Sequence, residues 1–324
     1  MCTCINFKTK DNYFGRNLDL EYRFNEKVVI TPRNYKFKLK NGSVINTKYS
    51  IIGMATVSGE YPLYAEASNE KGLSIAGLYF PKNAYYFEND NNKLSLAPYE
   101  LIPYFLGMYS NIKEIKELIL NLNITNIPFS DKYPVSDLHW MISDNDECIV
   151  IEQMKDCLKV YENPYGVLTN NPPFHYQITN ITNYRNLTPN YVESRFSDKV
   201  DLGQYGQGMG AIGLPGDNTP TSRFVRAAFN KLNSVSDNDE MSSITQFFHI
   251  LDSVSMVKGS TITKEGKCDI TTYSSCINTN KGIYYYKTYT NNQITAIKMT
   301  EQEKNKKELS IYDLIEEQQI KYEN

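Results

Sequence analysis

The chain begins Met1-Cys2-Thr3-Cys4 and soon reads Phe14-Gly15-Arg16-Asn17-Leu18-Asp19. Cys2 directly follows the first methionine, and its side chain is small enough for Met1 to be trimmed. Once Met1 is gone, one residue carries both a thiol and a free α-amine. A thiol near pKa ~8.5 is only partly ionised at neutral pH, and an α-amine near ~7.7–8.0 becomes a usable base after a modest depression. Covalent catalysis wants such a base beside its nucleophile. Arg16 is a candidate to favour the thiolate, and Asp19 to orient the amine through a charge-assisted hydrogen bond. Met-Cys alone also fits a small apolar residue opening a strand, which is the commoner use of such a cysteine.

With 324 residues, 41% hydrophobic and 22% charged, the chain has the profile of an ordinary globular protein with a large core. A formal net charge of −3 gives no electrostatic reason to expect nucleic acid or an anionic membrane as partner. Residues 1–14 carry Lys8, Lys10 and Asp11 and lack the apolar core of a secretion signal, and no run reaches the ~18 apolar residues of a membrane span. The six cysteines, at 2, 4, 148, 157, 268 and 276, match no zinc or redox spacing, so reduced thiols in a cytoplasm are expected. The 26 tyrosines point to tyrosine-rich strands and amphipathic pocket walls.

No repeat or low-complexity linker divides the sequence, so residues 1–324 read as one domain. Strands are expected at Lys27–Thr31, Tyr49–Val57, Leu73–Phe80, Trp140–Ser143, Cys148–Gln153, Leu158–Glu162 and Tyr165–Thr169. Asn111 with Glu114 resembles a capping box before a helical stripe of Ile112, Ile115, Leu118, Ile119 and Leu122. Thr219-Pro220 opens a second helix, and Ser243 with Gln246 a third. Near the end, Asn291-Asn292 reads as the turn of a hairpin between Gly282–Tyr289 and Gln293–Met299. Strands and helices come in groups, which favours an α+β layered sandwich over a doubly wound parallel sheet.

Two motifs compete for attention. Gly208-Met209-Gly210-Ala211-Ile212-Gly213 matches a dinucleotide-binding pattern, but Leu214-Pro215-Gly216-Asp217 follows where a helix should open. A glycine-rich loop near an active site is the better reading. Asn170, where a strand runs into a polar turn, either offers an oxyanion donor or only shapes the turn before Pro172. The three histidines, His139, His175 and His249, lie in no metal spacing and read as structural.

Taken together, several segments resemble the choloylglycine hydrolase family, the bile salt hydrolases and penicillin V acylases, among the N-terminal-nucleophile hydrolases. They include Met1-Cys2-Thr3, Phe14-Gly15-Arg16-Asn17-Leu18-Asp19, Pro32-Arg33-Asn34-Tyr35 and Asn69-Glu70-Lys71-Gly72-Leu73. Leu138-His139-Trp140, Val167-Leu168-Thr169-Asn170, Gly213-Leu214-Pro215-Gly216-Asp217, Thr221-Ser222-Arg223-Phe224 and Gly282-Ile283-Tyr284-Tyr285-Tyr286 follow in family order.

The resemblance implies a four-layer αββα sandwich with two antiparallel sheets. It implies Cys2 as nucleophile after removal of Met1, with Arg16 beside it. Asp19 would hold the α-amine, Asn170 would bind the oxyanion, and Arg223 would support thiol and acid. No metal or organic cofactor is implied, and a cytoplasmic homotetramer is. Tyr79 stands where bile salt hydrolases carry asparagine and penicillin V acylases carry tyrosine, so its hydroxyl is a candidate donor. The implied substrate is a small amide, a conjugated bile salt by the surrounding segments or penicillin V by Tyr79. A non-catalytic bile acid-binding relative is the reading from another class. Pocket walls are expected from Leu18, Tyr22, Phe24, Tyr64, Phe129 and Tyr133.

Overall fold

Apolar runs such as Ile51-Ile52 and Ile149-Val150-Ile151 lack a polar side because the sheet they enter is covered on both faces. The computed structural model describes residues 1–324. In it an eight-stranded antiparallel sheet runs in the order Leu158–Glu162, Cys148–Gln153, Leu138–Ser143, Ser74–Tyr79, Tyr61–Asn69, Ile51–Ser58, Lys27–Thr31, Ser310–Asp313. Side chains alternate between its faces. Val28, Ile30, Ile52, Met54, Ala76, Leu78, Met141 and Val150 join the larger core. Val29, Ile51, Ala67, Ile75, Trp140, Ile142, Ile149 and Ile151 join a second one, with the helices Leu101–Met108 and Ile112–Ile119.

The six-stranded sheet runs Val167–Leu168, Cys2–Lys8, Asn12–Leu20, Ile270–Asn278, Ile283–Thr288, Asn291–Lys298, also antiparallel. Its outer face carries the helices Pro220–Leu232 and Glu240–Asp252, whose Phe224, Ala227, Ala228, Ile244, Phe247 and Leu251 are buried in the larger core. The layers are therefore helix, sheet, sheet, helix, as the sequence led one to expect. Each fully buried Leu, Ile, Val or Phe in these cores is worth about 1.5–3 kcal/mol relative to exposure.

Element ends differ from expectation in instructive places. The stripe helix stops at Ile119, and Leu122 opens the short strand Leu122–Ile124. Asn111 does cap that helix, accepting the Glu114 N–H at 3.0 Å, but Glu114 reaches the N–H of Ser110 instead of Asn111. The helix expected from Ser243 begins at Glu240, capped by Asp239, and Ser243 is buried within it. Thr219 and Pro220 open their helix as read. The hairpin turn falls at Tyr289-Thr290, and Asn291 already belongs to the returning strand, opposite Thr288. The helix Leu101–Met108 carries too little amphipathic pattern to be seen, since six of its eight residues are buried.

Two of the segments that carry the resemblance serve the scaffold. Arg33 forms a two-pronged ion pair with Glu70, its Nε donating at 2.7 Å, while Glu70 also accepts the Ser50 N–H at 2.9 Å. Asn69 folds the adjoining turn by accepting the N–H groups of Lys71 and Leu73, and donates to the carbonyls of Leu106 and Tyr109 at the end of the nearby helix.

Candidate active site

The strands Cys2–Lys8 and Asn12–Leu20 pair so that Cys2 faces Leu18, Thr3 faces Asn17 and Cys4 faces Arg16. Because side chains alternate along a strand, Cys2, Cys4, Arg16 and Leu18 fall on one face, and Thr3, Asn17 and Asp19 on the other. The first face looks between the sheets and the second toward the helices. Cys2 is thus approached from both sides. Gly15 lets this happen: a Cβ there would lie 2.1 Å from the Ser275 carbonyl oxygen, so only glycine allows the strands to close here.

From between the sheets comes Arg16, fully buried, whose Nη1 donates to the Gly77 carbonyl at 2.6 Å and the Ala65 carbonyl at 3.3 Å. Burial alone would pull its guanidinium pKa down, but Cys2, Tyr273 and Glu66 beside it push it up. From the helix side comes Arg223, on the Pro220–Leu232 helix and also fully buried. Its Nη1 donates to the Cys2 carbonyl at 2.5 Å and to Thr3 Oγ1 at 2.6 Å, its Nη2 to Asn170 Oδ1 at 2.9 Å, and its Nε to the Asn218 carbonyl at 3.1 Å. Burial lowers the Arg223 pKa, and Asp19 and Cys2 offset part of that.

Asp19 is buried, with Oδ1 accepting from Thr271 Oγ1 at 2.6 Å. Its Oδ2 lies 3.8 Å from Arg223 Nη1 and takes no hydrogen bond, which leaves one carboxylate oxygen free inside the site. Burial raises its pKa, while Arg223, the N-terminal ammonium and Thr271 pull against the rise and Asp269 adds to it. Met1 is held across the strand pair by the backbone of Asp19, whose N–H donates to the Met1 carbonyl at 2.8 Å and whose carbonyl accepts from the Met1 ammonium.

Asn170 follows the strand Val167–Leu168, and its Oδ1 accepts the Cys2 N–H at 2.7 Å as well as Arg223 Nη2. Its Nδ2 donates to the Tyr79 carbonyl at 2.8 Å, leaving a second N–H uncommitted. Cys2, Arg16, Asp19, Asn170 and Arg223 are therefore brought together. Tyr79 joins them through its backbone. Its side chain is 50% exposed and its hydroxyl has no partner in the protein. Burial lifts the Tyr22 hydroxyl pKa, and Glu21 and Tyr79 add to the rise, which places the Tyr79 hydroxyl within electrostatic reach of Tyr22.

The expected pocket residues divide. Leu18 lies opposite Cys2, and the exposed Tyr22 and Phe24 stack edge to face at 4.8 Å just beyond that strand. Phe129 and Tyr133 are half-buried members of an aromatic chain with Tyr61 and Tyr99. Tyr64 does not face the site: it is buried in the second core, on the far side of the eight-stranded sheet, with its hydroxyl 2.8 Å from Thr31 Oγ1. The local shift in pairing between Met54 and Ala55 moves this part of the strand off simple alternation.

Three residues near the site were not singled out from sequence. Thr271 bonds Asp19, and Asp269 lies 3.7 Å from the Met1 ammonium. Glu66 is a fully buried carboxylate 3.9 Å from Arg16 Nε. None of the three left a local signal: Glu66 lies in the strand Tyr61–Asn69, which was not among the expected strands. His139 is buried as expected, stacked on Phe80 at 4.3 Å, yet it stands close to the site. Its Nε2 donates to the carbonyl of Thr169, the residue before Asn170, at 2.9 Å, and its Nδ1 lies 3.0 Å from Glu152. The glycine-rich segment forms a short 3-10 turn at Met209–Ala211, not a dinucleotide loop opening a helix, and leads to Asn218 beside Arg223. No cluster of His, Cys, Asp and Glu has the makings of a metal site, and no helix is long and apolar enough to cross a membrane.

A buried cysteine near the start of the chain, at the head of an inner strand of an αββα sandwich and between two buried arginines and a buried aspartate, defines a cysteine amidohydrolase of the N-terminal-nucleophile class. The chain belongs to the choloylglycine hydrolase family of linear amide C–N hydrolases, matched over residues 2–312. It is 49% identical over 319 residues, 98% of each chain, to the bile salt hydrolase/transferase of Lactiplantibacillus plantarum. Its structure is similar over the whole of both chains to the C2A mutant of conjugated bile acid hydrolase from Clostridium perfringens, with TM-score 0.93 and 42% identity. Penicillin V acylase from Agrobacterium tumefaciens shares the fold, with TM-score 0.76 at 19% identity over 96% of this chain and 91% of that one.

Proposed function

We propose that this protein hydrolyses conjugated bile salts, cleaving the amide between a bile acid and glycine or taurine through Cys2 once Met1 is removed. Similarity to bile salt hydrolases along the whole chain supports the substrate class. The convergence of Asn170 and Arg223 on Cys2 carries the mechanism.

Removal of Met1 turns the Cys2 nitrogen into an α-amine that already points at Asn170 Oδ1. The free Oδ2 of Asp19 balances the charge that this amine acquires when protonated. The Cys2 sulfur attacks the amide carbonyl carbon while the α-amine takes the thiol proton. The uncommitted N–H of Asn170 donates to the oxyanion, a contribution of about 2.7–4 kcal/mol for one such donor. Collapse breaks the C–N bond, and the α-amine returns the proton to the departing nitrogen. Water, deprotonated by the same amine, attacks the thioester, releasing the bile acid and restoring the thiol. Arg16 stabilises the thiolate from between the sheets, and Arg223 supports it from the helix side while holding Asp19 and Asn170 in place.

A second reading, penicillin V hydrolysis by the same steps, is favoured by one residue. Tyr79 presents a half-exposed ring and hydroxyl where an amide side chain is usual among the bile salt hydrolases. Rates on glycocholate, taurocholate and penicillin V, with Cys2→Ala as blank and loss of Met1 verified by intact mass, separate the two. Faster bile salt cleavage is expected; faster penicillin V cleavage would transfer the assignment. No cleavage above the blank would leave a non-catalytic binder.

The chain works as one catalytic domain, in the cytoplasm and as a homotetramer. The free cysteines support the compartment. A run of exposed apolar side chains, Tyr191, Phe196, Leu202, Tyr205 and Ile212, supports assembly. Light scattering on the purified protein tests the oligomer.

A further inference from the structure

We propose that Glu66 is a positioning residue that acts through Arg16 to set the pH at which Cys2 reacts, an inference that rests on Cys2 being the nucleophile.

Glu66 sits on the strand Tyr61–Asn69 but points across the inter-sheet space, where it meets three hydroxyls of the other sheet. Tyr273 donates to Oε2 at 2.7 Å, and Tyr284 and Ser275 donate to Oε1 at 2.5 and 3.0 Å. The fourth neighbour is Arg16, with Nε 3.9 Å from Oε2 and otherwise without a partner. A buried carboxylate surrounded by donors and one guanidinium is arranged to hold a negative charge. Burial raises the Glu66 pKa, and Arg16 with the three hydroxyls opposes the rise.

Arg16 therefore faces two groups of like sign, Glu66 and the Cys2 thiolate. The other ionisable groups around this line are Cys4, whose pKa burial raises well above the usual thiol range, and Cys148 beside it. Tyr273 and Tyr284 are likewise pushed up by burial and stay neutral. Arg223 reaches Cys2 from the helix side, with Asp19 and Asp269 beside it. Glu66 is thus the anion that offsets Arg16 from between the sheets. Its charge reduces the field that Arg16 exerts on the thiol, and its hydrogen bonds fix the guanidinium between the sheets.

Glu66→Gln keeps the size and removes the charge. The pH dependence of Cys2 alkylation by iodoacetamide, counted by intact mass against Cys2→Ala, reads the effect directly. The half-maximal pH is expected to fall by about one unit, so that alkylation well below it is about tenfold faster than in the unmodified protein. The acid limb of kcat/KM should move the same way. Glu66→Met, which also keeps the length and removes the charge, is expected to give a shift in the same direction, and it stands in if Glu66→Gln does not fold. Lower activity with an unchanged or raised half-maximal pH in both variants would overturn the proposal and leave Glu66 a packing residue. Absence of Cys2-dependent turnover in the unmodified protein would instead overturn the nucleophile reading, and this one with it.

Discussion

Asn170 accepts the Cys2 backbone N–H through its side-chain oxygen at 2.7 Å, across 168 residues of sequence. Arg223 donates to the same oxygen and the Tyr79 carbonyl accepts from the nitrogen, so the amide has only one workable orientation. A flipped amide would set N–H groups against donors and oxygen against oxygen. The remaining N–H, which the proposed mechanism assigns to the oxyanion, is thereby fixed before any substrate arrives, which is the condition for electrostatic stabilisation.

Asn170→Ala is therefore expected to lower kcat by about 10²–10³-fold with a much smaller change in KM. Steady-state kinetics on glycocholate measures it. A change confined to KM would show that Asn170 only binds substrate.

Arg223 opposes the rise that burial imposes on the Asp19 carboxyl. Arg223→Gln removes that opposition, so the Asp19 pKa climbs further and its ionised form is lost at a higher pH as the solution is acidified. The acid limb of the kcat/KM profile should move upward by roughly one unit, together with a lower plateau. A profile that falls in height without moving would assign Arg223 to geometry alone.

His139 satisfies both the Thr169 carbonyl and Glu152, and Glu152 also accepts the Phe174 N–H at 2.9 Å. His139→Ala leaves the buried Thr169 carbonyl without this donor and Glu152 with the Phe174 N–H alone, a cost of about 1–3 kcal/mol. Urea denaturation should show the loss, and because Thr169 precedes Asn170, kcat should fall as well. Full activity in a destabilised variant would disconnect the pair from the site.

Tyr64→Phe separates core from pocket. Loss of the hydrogen bond to Thr31 should cost about 0.5–1.5 kcal/mol in stability with KM unchanged. A raised KM would place the ring in the substrate path after all.

Glu70 gives a pH dependence to stability. Burial tends to raise its pKa, but the Arg33 and Ser50 hydrogen bonds prevail and hold it below the ordinary value. The stabilisation is complete above the unfolded pKa of about 4.3 and is lost as pH falls through the lower folded value. Glu70→Gln lacks this contribution, so the stability gap to the unmodified protein should close as pH drops from about 5 to about 3. Urea midpoints across that range test the sign.

Much of the frame was legible in the chain. The runs Lys27–Thr31, Cys148–Gln153 and Leu158–Glu162 form strands with the bounds expected of them, because period and β-branching are local properties. Misplaced ends arose where local patterns were ambiguous. Leu122 continues an apolar stripe but pairs with Leu94, and Ser243 looks like a cap but lies inside a helix already capped by Asp239. Tyr64 was expected in a pocket wall through the family resemblance, but the shifted register between Met54 and Ala55 accompanies its turn into the second core.

The sequence by itself determined the layered α+β class and put forward Cys2, Arg16 and Asp19 as a thiol with a nearby cation and acid; it left Asn170 open between oxyanion donor and turn former, and Arg223 entered only through the segments that resemble the choloylglycine hydrolase family. Only the tertiary structure decided which side of Cys2 each one occupies. Strand alternation sends Arg16 between the sheets and Asp19 toward the helices. The helix Pro220–Leu232 then lays Arg223 across Cys2, Thr3 and Asn170. Glu66, Thr271 and Asp269 emerge only at this level, because a buried charge is recognised by its partners, and those partners come from strands far apart in the chain.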